Sequence, residues 1–428
     1  MQSSEQSTPS QDSRDTFTRN APPLPRDRDT DLRKRAARAM PGGMFGHMNA
    51  ALLPADYPQF FKTAEGCRLT DVDGNEYIDF MCSWGPIIAG YRHPQVDAAY
   101  ARRLAEGDLM NGPGEVMVDL AERLVERVGH ADWVSFQKSG TDATTLCVTI
   151  ARAATGRRKV LVAQGAYHGA VPWCTPYPAG VTAEDRANMV HYRFNDAASL
   201  EAALDSAEGD VAAVIVSAFR HDFAKDQELT DPAFAARVRS LCDMKGAVLI
   251  LDDVRAGLRL HQGGSWETVG VRPDLSAWSK AIANGYPLAF VAGVDALREA
   301  ARTVYSTGSF WCGSASMTAA LATLDVLDAG DAVNHMARVG DRLRKGLDRQ
   351  AANHKVAIRQ TGPVQMPQVL FGDDADFAKG FRFTSEALRR GVYLHPKHNM
   401  FLSLAHTAAD IDRALEATEE AMRVVAKG

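Results

Sequence analysis

Short apolar strands alternate with helical segments through the middle of the chain, and this alternation restricts the fold more than any other feature. The predicted strands are Trp133–Phe136, Lys159–Val162, Val211–Val216, Ala247–Leu251 and Leu288–Ala292. Predicted helices between them include Asp142–Arg152 and Asp231–Met244. Strands separated by helices lie side by side in a mainly parallel sheet that the helices cover. The sequence therefore predicts the α/β class.

The regions on either side of this alternation predict a second, smaller α+β domain. A helix over Asp31–Met40 precedes a hairpin-like stretch in which Asp73-Gly74 gives the turn. Helical runs from Ser314 to Asp328 and from Ala332 to His354 lead into short strands and helices, which we expect to pack with the hairpin. The expected regions are a disordered extension (1–29), an N-terminal segment (30–92), a large domain (93–328) and a C-terminal α+β domain (329–428).

Composition and charge are those of an ordinary globular protein and argue against several other classes. Hydrophobic residues make up 46% and charged residues 24%. A net charge of −5 offers no basic surface for nucleic acid. No apolar run approaches the ~20 residues that span a bilayer, and the polar first segment does not resemble a signal peptide. The six cysteines show no C-x-x-C spacing, so we expect no metal site, no disulfides and a cytoplasmic location.

Chemically useful side chains follow several predicted strands, at the edge where α/β sheets place their ligands. The turn Ser139-Gly140-Thr141 opens a helix whose free N–H groups suit a phosphate, although Thr141 alone could simply cap the helix. Asp252-Asp253 ends an apolar strand, where a carboxylate needs a cation or donor. Lys280 and Tyr167-His168-Gly169, taken singly, are more simply a solvated lysine and a core aromatic. Together these features supply the parts needed to hold pyridoxal 5'-phosphate.

The stretches around these residues resemble the class III, fold-type I aminotransferases. The resemblance is carried by "SGTDATTLCVTIARAATGRRKV", "GAYHG", "LILDDVRAG", "PDLSAWSKAIANGYPLAFVAG" and "STGSF", and it runs from about Asp31 to Val425. It implies a pyridoxal-phosphate-dependent transferase with a large domain around a mainly parallel sheet. It also implies a homodimer whose subunits share their active sites.

The resemblance implies a role for each matching residue. Lys280 would carry the cofactor and then move protons as general base and acid, and Asp252 would keep the ring nitrogen protonated. Tyr167 and Val254 would pack against opposite faces of the ring. The other implied cofactor contacts are Ser139, Gly140, Thr141 and His168, with Thr307 and Gly308-Ser309 supplied by the second subunit.

Other stretches bear on the substrate. "MPGGMFGHMNA", "SWGP" and "GVYLHP" resemble glutamate-1-semialdehyde aminomutase, but its carboxylate-binding arginine is replaced by Asn49 and a family Glu-Pro by Ser217-Ala218. These departures favour an amine that lacks a carboxylate. "GGMFGH", "FRHDFAKDQ", "TGSFW", "TGPVQMPQ" and "HPKHNMFLS" are similar to aminotransferases of hydrolysed fumonisin, a long-chain amino polyol, with pyruvate as acceptor.

These resemblances predict an amine donor and a keto-acid acceptor, with no nucleic-acid or membrane partner. The predicted substrate contacts are Phe45, His47, Trp84, Arg220 and Phe310, with Trp311 beside them. Arg220 is the first choice for the acceptor carboxylate, with Arg255 and Lys397 as alternatives. The competing interpretations are an ω-amino or β-amino acid transaminase, the aminomutase, a racemase on the same fold, and a cofactor-binding protein without activity.

Overall fold

The structure, a computed structural model, describes residues 22–428. Its α-helices there are α1 (Asp27–Ala39), α2 (Pro94–Glu106), α3 (Val116–Arg127), α4 (Gly140–Thr155), α5 (Ala183–Arg186), α6 (Ala197–Ser206), α7 (Pro232–Lys245), α8 (Arg298–Thr303), α9 (Ser314–Ala329), α10 (Ala332–His354), α11 (Ala378–Leu388) and α12 (Ala408–Ala426). Its strands are β1 (Phe61–Glu65), β2 (Arg68–Asp71), β3 (Glu76–Asp79), β4 (Trp133–Gln137), β5 (Lys159–Ala163), β6 (Met189–Tyr192), β7 (Val211–Ser217), β8 (Phe219–Arg220), β9 (Glu228–Leu229), β10 (Val248–Asp252), β11 (Leu275–Trp278), β12 (Ala289–Gly293), β13 (Ile358–Arg359), β14 (Leu370–Phe371) and β15 (Val392–Tyr393). No helix between residues 22 and 428 is long and apolar enough to cross a bilayer.

A seven-stranded sheet in the order β4-β12-β11-β10-β7-β5-β6 forms the centre of the molecule. Its strands are parallel except β12, which runs antiparallel to both β4 and β11. The predicted α/β class is therefore confirmed. The direction of β12 was not predicted. It follows from the short connection after β11, since a parallel return needs a crossover of a dozen or more residues.

The central strand β10 is buried on both faces, and its alternating side chains decide where its last residue points. Val248 and Ile250 pack with residues of α4, while Leu249 and Leu251 pack with residues of α7. Successive side chains of a strand lie on opposite faces. Asp252, the last residue of β10, therefore continues on the face covered by α4. This alternation directs its carboxylate toward the beginning of that helix.

A second sheet, in the order β1-β2-β3-β15, joins the N-terminal hairpin to the C-terminal region. β15 pairs in parallel with β3, with Val392 opposite Ile78. The hairpin of β2 and β3 turns through Asp73-Gly74, as predicted, and the Asp71 carboxylate accepts N–H groups of that turn. The N-terminal and C-terminal regions therefore share one sheet.

The N-terminal boundary differs from the prediction. We expected a disordered extension through residue 29, but residues 22–29 are described and Asp27 begins α1. The buried carboxylate of Asp29 accepts the N–H groups of Gln59 and Phe60 at 2.8 and 2.9 Å. This long-range contact, which composition does not reveal, fixes the helix. The rest of the predicted extension, residues 1–21, lies outside the described residues.

Candidate active site

A cavity of about 270 Å³ opens where β4, β5, β7, β10 and β11 end. The sequence features that were predicted separately meet along its wall. Its lining includes Ser139, Gly140, Thr141, Tyr167, His168, Asp252, Val254 and Lys280. In the described residues no group of three or more His, Cys, Asp or Glu side chains is placed to hold a metal.

One end of the cavity is formed by the first turn of α4. Ser139 caps this helix, and its hydroxyl and the Asp142 carboxylate satisfy each other's backbone N–H groups. The sequence had placed the helix start at Asp142 with Thr141 as its cap, so the true cap lies earlier. Within residues 22–428 the N–H groups of Gly140 and Thr141 meet no acceptor. Two free donors at the positive end of a helix are suited to a phosphate.

Two glycines keep this end of the cavity open. A Cβ on Gly140 would lie 2.7 Å from Cγ1 of Val254, and a Cβ on Gly169 would lie 2.6 Å from Oγ1 of Thr141. Gly169 also has a φ of +134°, which side-chain-bearing residues rarely adopt. The hydroxyl of Thr144 donates to the His168 carbonyl at 2.7 Å and fixes that turn against α4. Any side chain at either glycine would displace the cradle.

The carboxylate of Asp252 is held by a histidine. His168 Nδ1 lies 2.7 Å from Asp252 Oδ2, and the Val254 N–H donates to Oδ1 at 3.1 Å. Because an ionised carboxylate only accepts, Nδ1 of His168 carries the proton. Asp253 is buried elsewhere, where its Oδ2 accepts the Ser265 N–H at 2.8 Å and burial raises its pKa to about 6. Asp252, and not Asp253, therefore faces the cavity.

Lys280 lies across the cavity in a strained backbone conformation. Its φ is +49°, an uncommon value for a residue with a side chain, and its Nζ donates to the Trp84 carbonyl at 3.1 Å. Burial, reinforced by the charge of Arg255 and partly opposed by that of Asp252, lowers the pKa of Lys280 to about 7. A Cβ on Gly85 would sit 3.3 Å from Cδ of Lys280. The lysine is thus packed into place with a substantial neutral fraction at physiological pH.

The predicted substrate contacts are dispersed. His47 and Trp84 are in edge contact, with ring centroids 4.7 Å apart, beside the carbonyl that receives Lys280. Phe45 and Phe310 are exposed, at 73% and 66%. Arg220 does not line the cavity, and its guanidinium pairs with Glu228 at 2.8 Å.

The loop predicted to serve the second subunit also lies away from the cavity of its own chain. Thr307 and Ser309 are exposed, and the lining contains neither of them nor Gly308. Gly308 packs against the ring of Trp311. A Cβ added to Gly308 would lie only 2.4 Å from this ring. The loop is therefore free to contact a neighbouring molecule.

The cavity also contains residues that were not predicted. Lys138, His221 and Tyr286 contribute to its wall, and Arg255, named only as an alternative, does too. Each of these residues lies next to or within a stretch that carried a resemblance to known aminotransferases. Their position in those stretches could have marked them as candidates for the cavity wall. Their contacts come from distant parts of the chain, which the sequence does not reveal.

A lysine and a buried carboxylate across one cavity, beside a helix N-terminus at the end of a parallel sheet, define a fold-type I pyridoxal-phosphate enzyme. The family model described as class-III aminotransferase matches residues 53–422, and the chain belongs to this family. Its cofactor is pyridoxal phosphate, and its activity is amino-group transfer. The free N–H groups of α4, the carboxylate held by His168 and the packed lysine fit that cofactor.

Relatives and solved structures support this assignment. An aminopentol aminotransferase from Sphingopyxis macrogoltabida is 47% identical over 398 residues, covering 93% of this chain and 94% of the relative. A glutamate-1-semialdehyde 2,1-aminomutase from Desulforamulus reducens is 34% identical, covering 93% and 98%. The PLP internal aldimine form of the Sphingopyxis sp. MTA144 FumI protein matches with a TM-score of 0.92 and 47% identity, covering 94% of this chain and 97% of that one.

Proposed function

We propose that this aminotransferase takes its amino group from a bulky or long-chain primary amine that lacks a carboxylate, and passes it to a keto acid such as pyruvate. The proposal is carried by Asn49, which by the sequence resemblance matches the position of the aminomutase's carboxylate-binding arginine. Its side chain is used locally: Oδ1 accepts the Ala51 N–H at 2.9 Å and Nδ2 donates to the Met44 carbonyl at 3.5 Å. The segment therefore offers no cation to a substrate carboxylate. The 47% identity to an aminopentol aminotransferase supports the same donor class.

The aromatic cluster around Trp84, which lies beside Lys280 but outside the residues that line the cavity, suits an apolar chain that carries hydroxyl groups. Trp84 is in edge contact with His47, His395 and His398, at centroid distances of 4.7, 5.4 and 5.1 Å. Burial lowers the pKa of all three histidines, that of His395 to about 3, so they remain neutral. Both ring nitrogens of His398 already bind Arg255 and Asn399, so His47 and His395 are the imidazoles offered to hydroxyl groups, while an alkyl chain gains roughly 0.8 kcal/mol for each buried CH₂.

The residues around the cavity divide the catalytic work. When bound, pyridoxal phosphate supplies an aldehyde that reacts with amines and a ring that accepts electron density from the substrate. Lys280 holds and releases a proton at Nζ, which its lowered pKa permits near neutral pH. Asp252 would present its carboxylate to the ring nitrogen, and His168 Nδ1, 2.7 Å from Oδ2, would hold that carboxylate in place. Tyr167 and Val254 would pack against the ring.

The proposal predicts a donor preference. We expect kcat/KM for a bulky 2-aminoalkane to exceed that for glutamate, ornithine and glutamate-1-semialdehyde by more than about tenfold, because an unpaired buried carboxylate costs more than alkyl burial returns. The measurement is ketone and alanine formation with and without pyruvate. An isomer of the donor formed without pyruvate, with no ketone or alanine, would indicate an aminomutase or racemase. A tenfold advantage for a dicarboxylic or semialdehyde substrate would refute the proposed donor class.

We also propose that the enzyme is a homodimer in which Ser309, next to Thr307 and Gly308, completes the phosphate site of the partner subunit. The exposed position of this loop supports the proposal, since Tyr305 and Phe310 are 90% and 66% exposed. Large apolar side chains left in solvent commonly mark an interface. The two free N–H groups of α4 reach only some of the oxygens of a phosphate, and a loop from the partner subunit would bind the others.

Replacing Ser309 with alanine should weaken cofactor binding by about ten- to a hundredfold, the cost of a hydrogen bond to a charged group, and leave the dimer intact. Cofactor affinity is measured by absorbance titration of the apoenzyme, and the dimer by light scattering. Mixing Ser309→Ala chains with Lys280→Ala chains should restore one complete site per mixed dimer at limiting cofactor. A monomer, or mixed chains no better than either parent, would contradict shared sites.

We propose a cytoplasmic location as well. All six cysteines are free thiols, and four of them are buried. Burial raises the pKa of Cys67 to about 12, so this thiol stays protonated and unreactive. Such thiols are typical of a reducing compartment.

A further inference from the structure

Arg255 is a cation in the cavity wall that lacks a carboxylate partner. It follows β10 closely and lines the same cavity as Lys280. No Asp or Glu in residues 22–428 lies within ion-pair distance of it, and only Nη1 of its guanidinium nitrogens has a hydrogen-bond partner there. Burial lowers the pKa of Arg255 to about 10, so it keeps its charge at neutral pH. The negative charge of Asp252, beyond ion-pair distance, offsets part of the cost of burying this cation, and an anion bound directly to the guanidinium would offset more.

The two groups that hold Arg255 are both neutral. Nη1 contacts His398 Nε2 at 2.9 Å and donates to Asn399 Oδ1. His398 Nδ1 faces the Asn399 carbonyl, so its proton lies there and Nε2 accepts. Asn399 Nδ2 donates to the Met400 carbonyl at 3.0 Å, which turns Oδ1 toward the arginine. These neutral acceptors bind a guanidinium less strongly than a carboxylate does.

The other cations proposed for this role are occupied elsewhere. Arg220 pairs with Glu228 at 2.8 Å and does not line the cavity. Lys397 Nζ lies over the rings of Phe377 and Phe381, 4.5 and 4.6 Å from their centroids. Arg255 is thus the candidate that both reaches the cavity and has unused donors.

We propose that Arg255 is the binding site for the carboxylate of the keto-acid acceptor, and that His398 and Asn399 hold its guanidinium while the carboxylate-free amine is bound. The inference rests on the proposed function, because it assigns the acceptor subsite of that reaction. A planar guanidinium binds a carboxylate through two parallel hydrogen bonds, which neither neutral partner can match. The same cavity thereby accepts amine donors that lack a carboxylate and keto-acid acceptors that have one.

The half-reactions separate this role from a general defect. With Arg255→Met, the single-turnover reaction with pyruvate should slow by about a hundredfold in its second-order rate constant, as expected for losing a charged hydrogen-bond pair. The single-turnover reaction with a 2-aminoalkane should fall far less than the reaction with pyruvate, since that donor has no carboxylate to lose and is affected only through the pKa of Lys280, which Arg255 lowers. Arg302→Met, which removes a surface arginine paired with Glu299, serves as the matched control. Loss of pyruvate use in Arg220→Met, with Arg255→Met unaffected, overturns the assignment.

A second variant tests the same site without deleting the arginine. Asn399→Asp places a permanent carboxylate against Arg255 and should raise the KM for pyruvate by at least about tenfold, because an intramolecular anion competes with the acceptor. Asn399→Ala removes the same contact without adding charge and should not raise that KM. Equal effects of the two changes would indicate a merely structural role for Asn399 and would overturn the proposal.

Binding of propionate, a carboxylate without a reactive carbonyl, gives a readout independent of turnover. Calorimetry should detect propionate binding to the holoenzyme and a loss of about a hundredfold in affinity in Arg255→Met. Unchanged propionate affinity in that variant overturns the assignment. If the unaltered enzyme transfers nothing from amines to pyruvate, the proposed function fails, while Arg255-dependent propionate binding still supports a carboxylate site.

Discussion

Replacing Lys280 with alanine should reduce transamination to background, a loss of at least about ten-thousandfold, because the variant loses both the amine that attaches the cofactor and the group that moves the substrate proton. Among residues 22–428, the only other lysine in the cavity lining is Lys138, which lies beside the α4 turn and donates to the Pro287 carbonyl at 3.0 Å. Lys138 is therefore not placed to take over the role of Lys280. The measurement is ketone and alanine formation at enzyme concentrations high enough to detect the residual rate.

The covalent link provides a second readout for the same prediction. Borohydride should fix the cofactor of the unaltered, yellow enzyme on the peptide that contains Lys280, and should fix none in the variant. Lys245→Ala, which removes a surface lysine paired with Asp205, is the control for loss of a lysine elsewhere. Steady turnover by Lys280→Ala, at a rate above that of cofactor alone in solution, would refute the assignment.

The spacing of apolar residues predicted much of the fold because helices and strands depend on residues that are close together in the chain. The long helix Ala332–His354 was predicted with its observed bounds, since its apolar spacing follows the helical period. Five of the seven strands described for the central sheet were found because each is a short apolar run that ends near a turn, whereas β6 and β11 were not predicted. The direction of β12 was missed because strand direction depends on the connection between strands, which apolar patterning does not encode.

The cavity was predictable as a set of residue types but not as a network of contacts. Asp252 and Lys280 could be chosen from their positions at strand ends and from the family resemblance. For the acceptor carboxylate, Arg220 was preferred to Arg255 from the sequence. What separates the two is their partners, Glu228 for one and Asn399 for the other, and the second of these is distant in sequence. Residue types alone do not show which charged side chains are already paired with another side chain.

Replacing Asp252 with asparagine should leave the fold nearly intact and reduce kcat by about a thousandfold, or roughly 4 kcal/mol in the barrier. The change conserves volume, and the single amide oxygen still accepts one of the two hydrogen bonds, from His168 Nδ1 or from the Val254 N–H. What disappears is the negative charge that keeps the ring nitrogen protonated, which matters most while the substrate proton is transferred. The measurements are kcat at saturating cofactor and the melting temperature.

Asp253→Asn is the matched control for this charge removal. Asp253 adjoins Asp252 in the chain, is buried as deeply and has its pKa raised to about 6, but its carboxylate accepts the Ser265 N–H and does not line the cavity. We therefore expect kcat within about threefold of the unaltered enzyme, with any effect appearing in stability, because the lost charge lies outside the reaction site. If instead Asp252→Asn retains kcat within about tenfold while Asp253→Asn loses it, the carboxylate that acts on the cofactor is Asp253, and the alternation of β10 would have been misread.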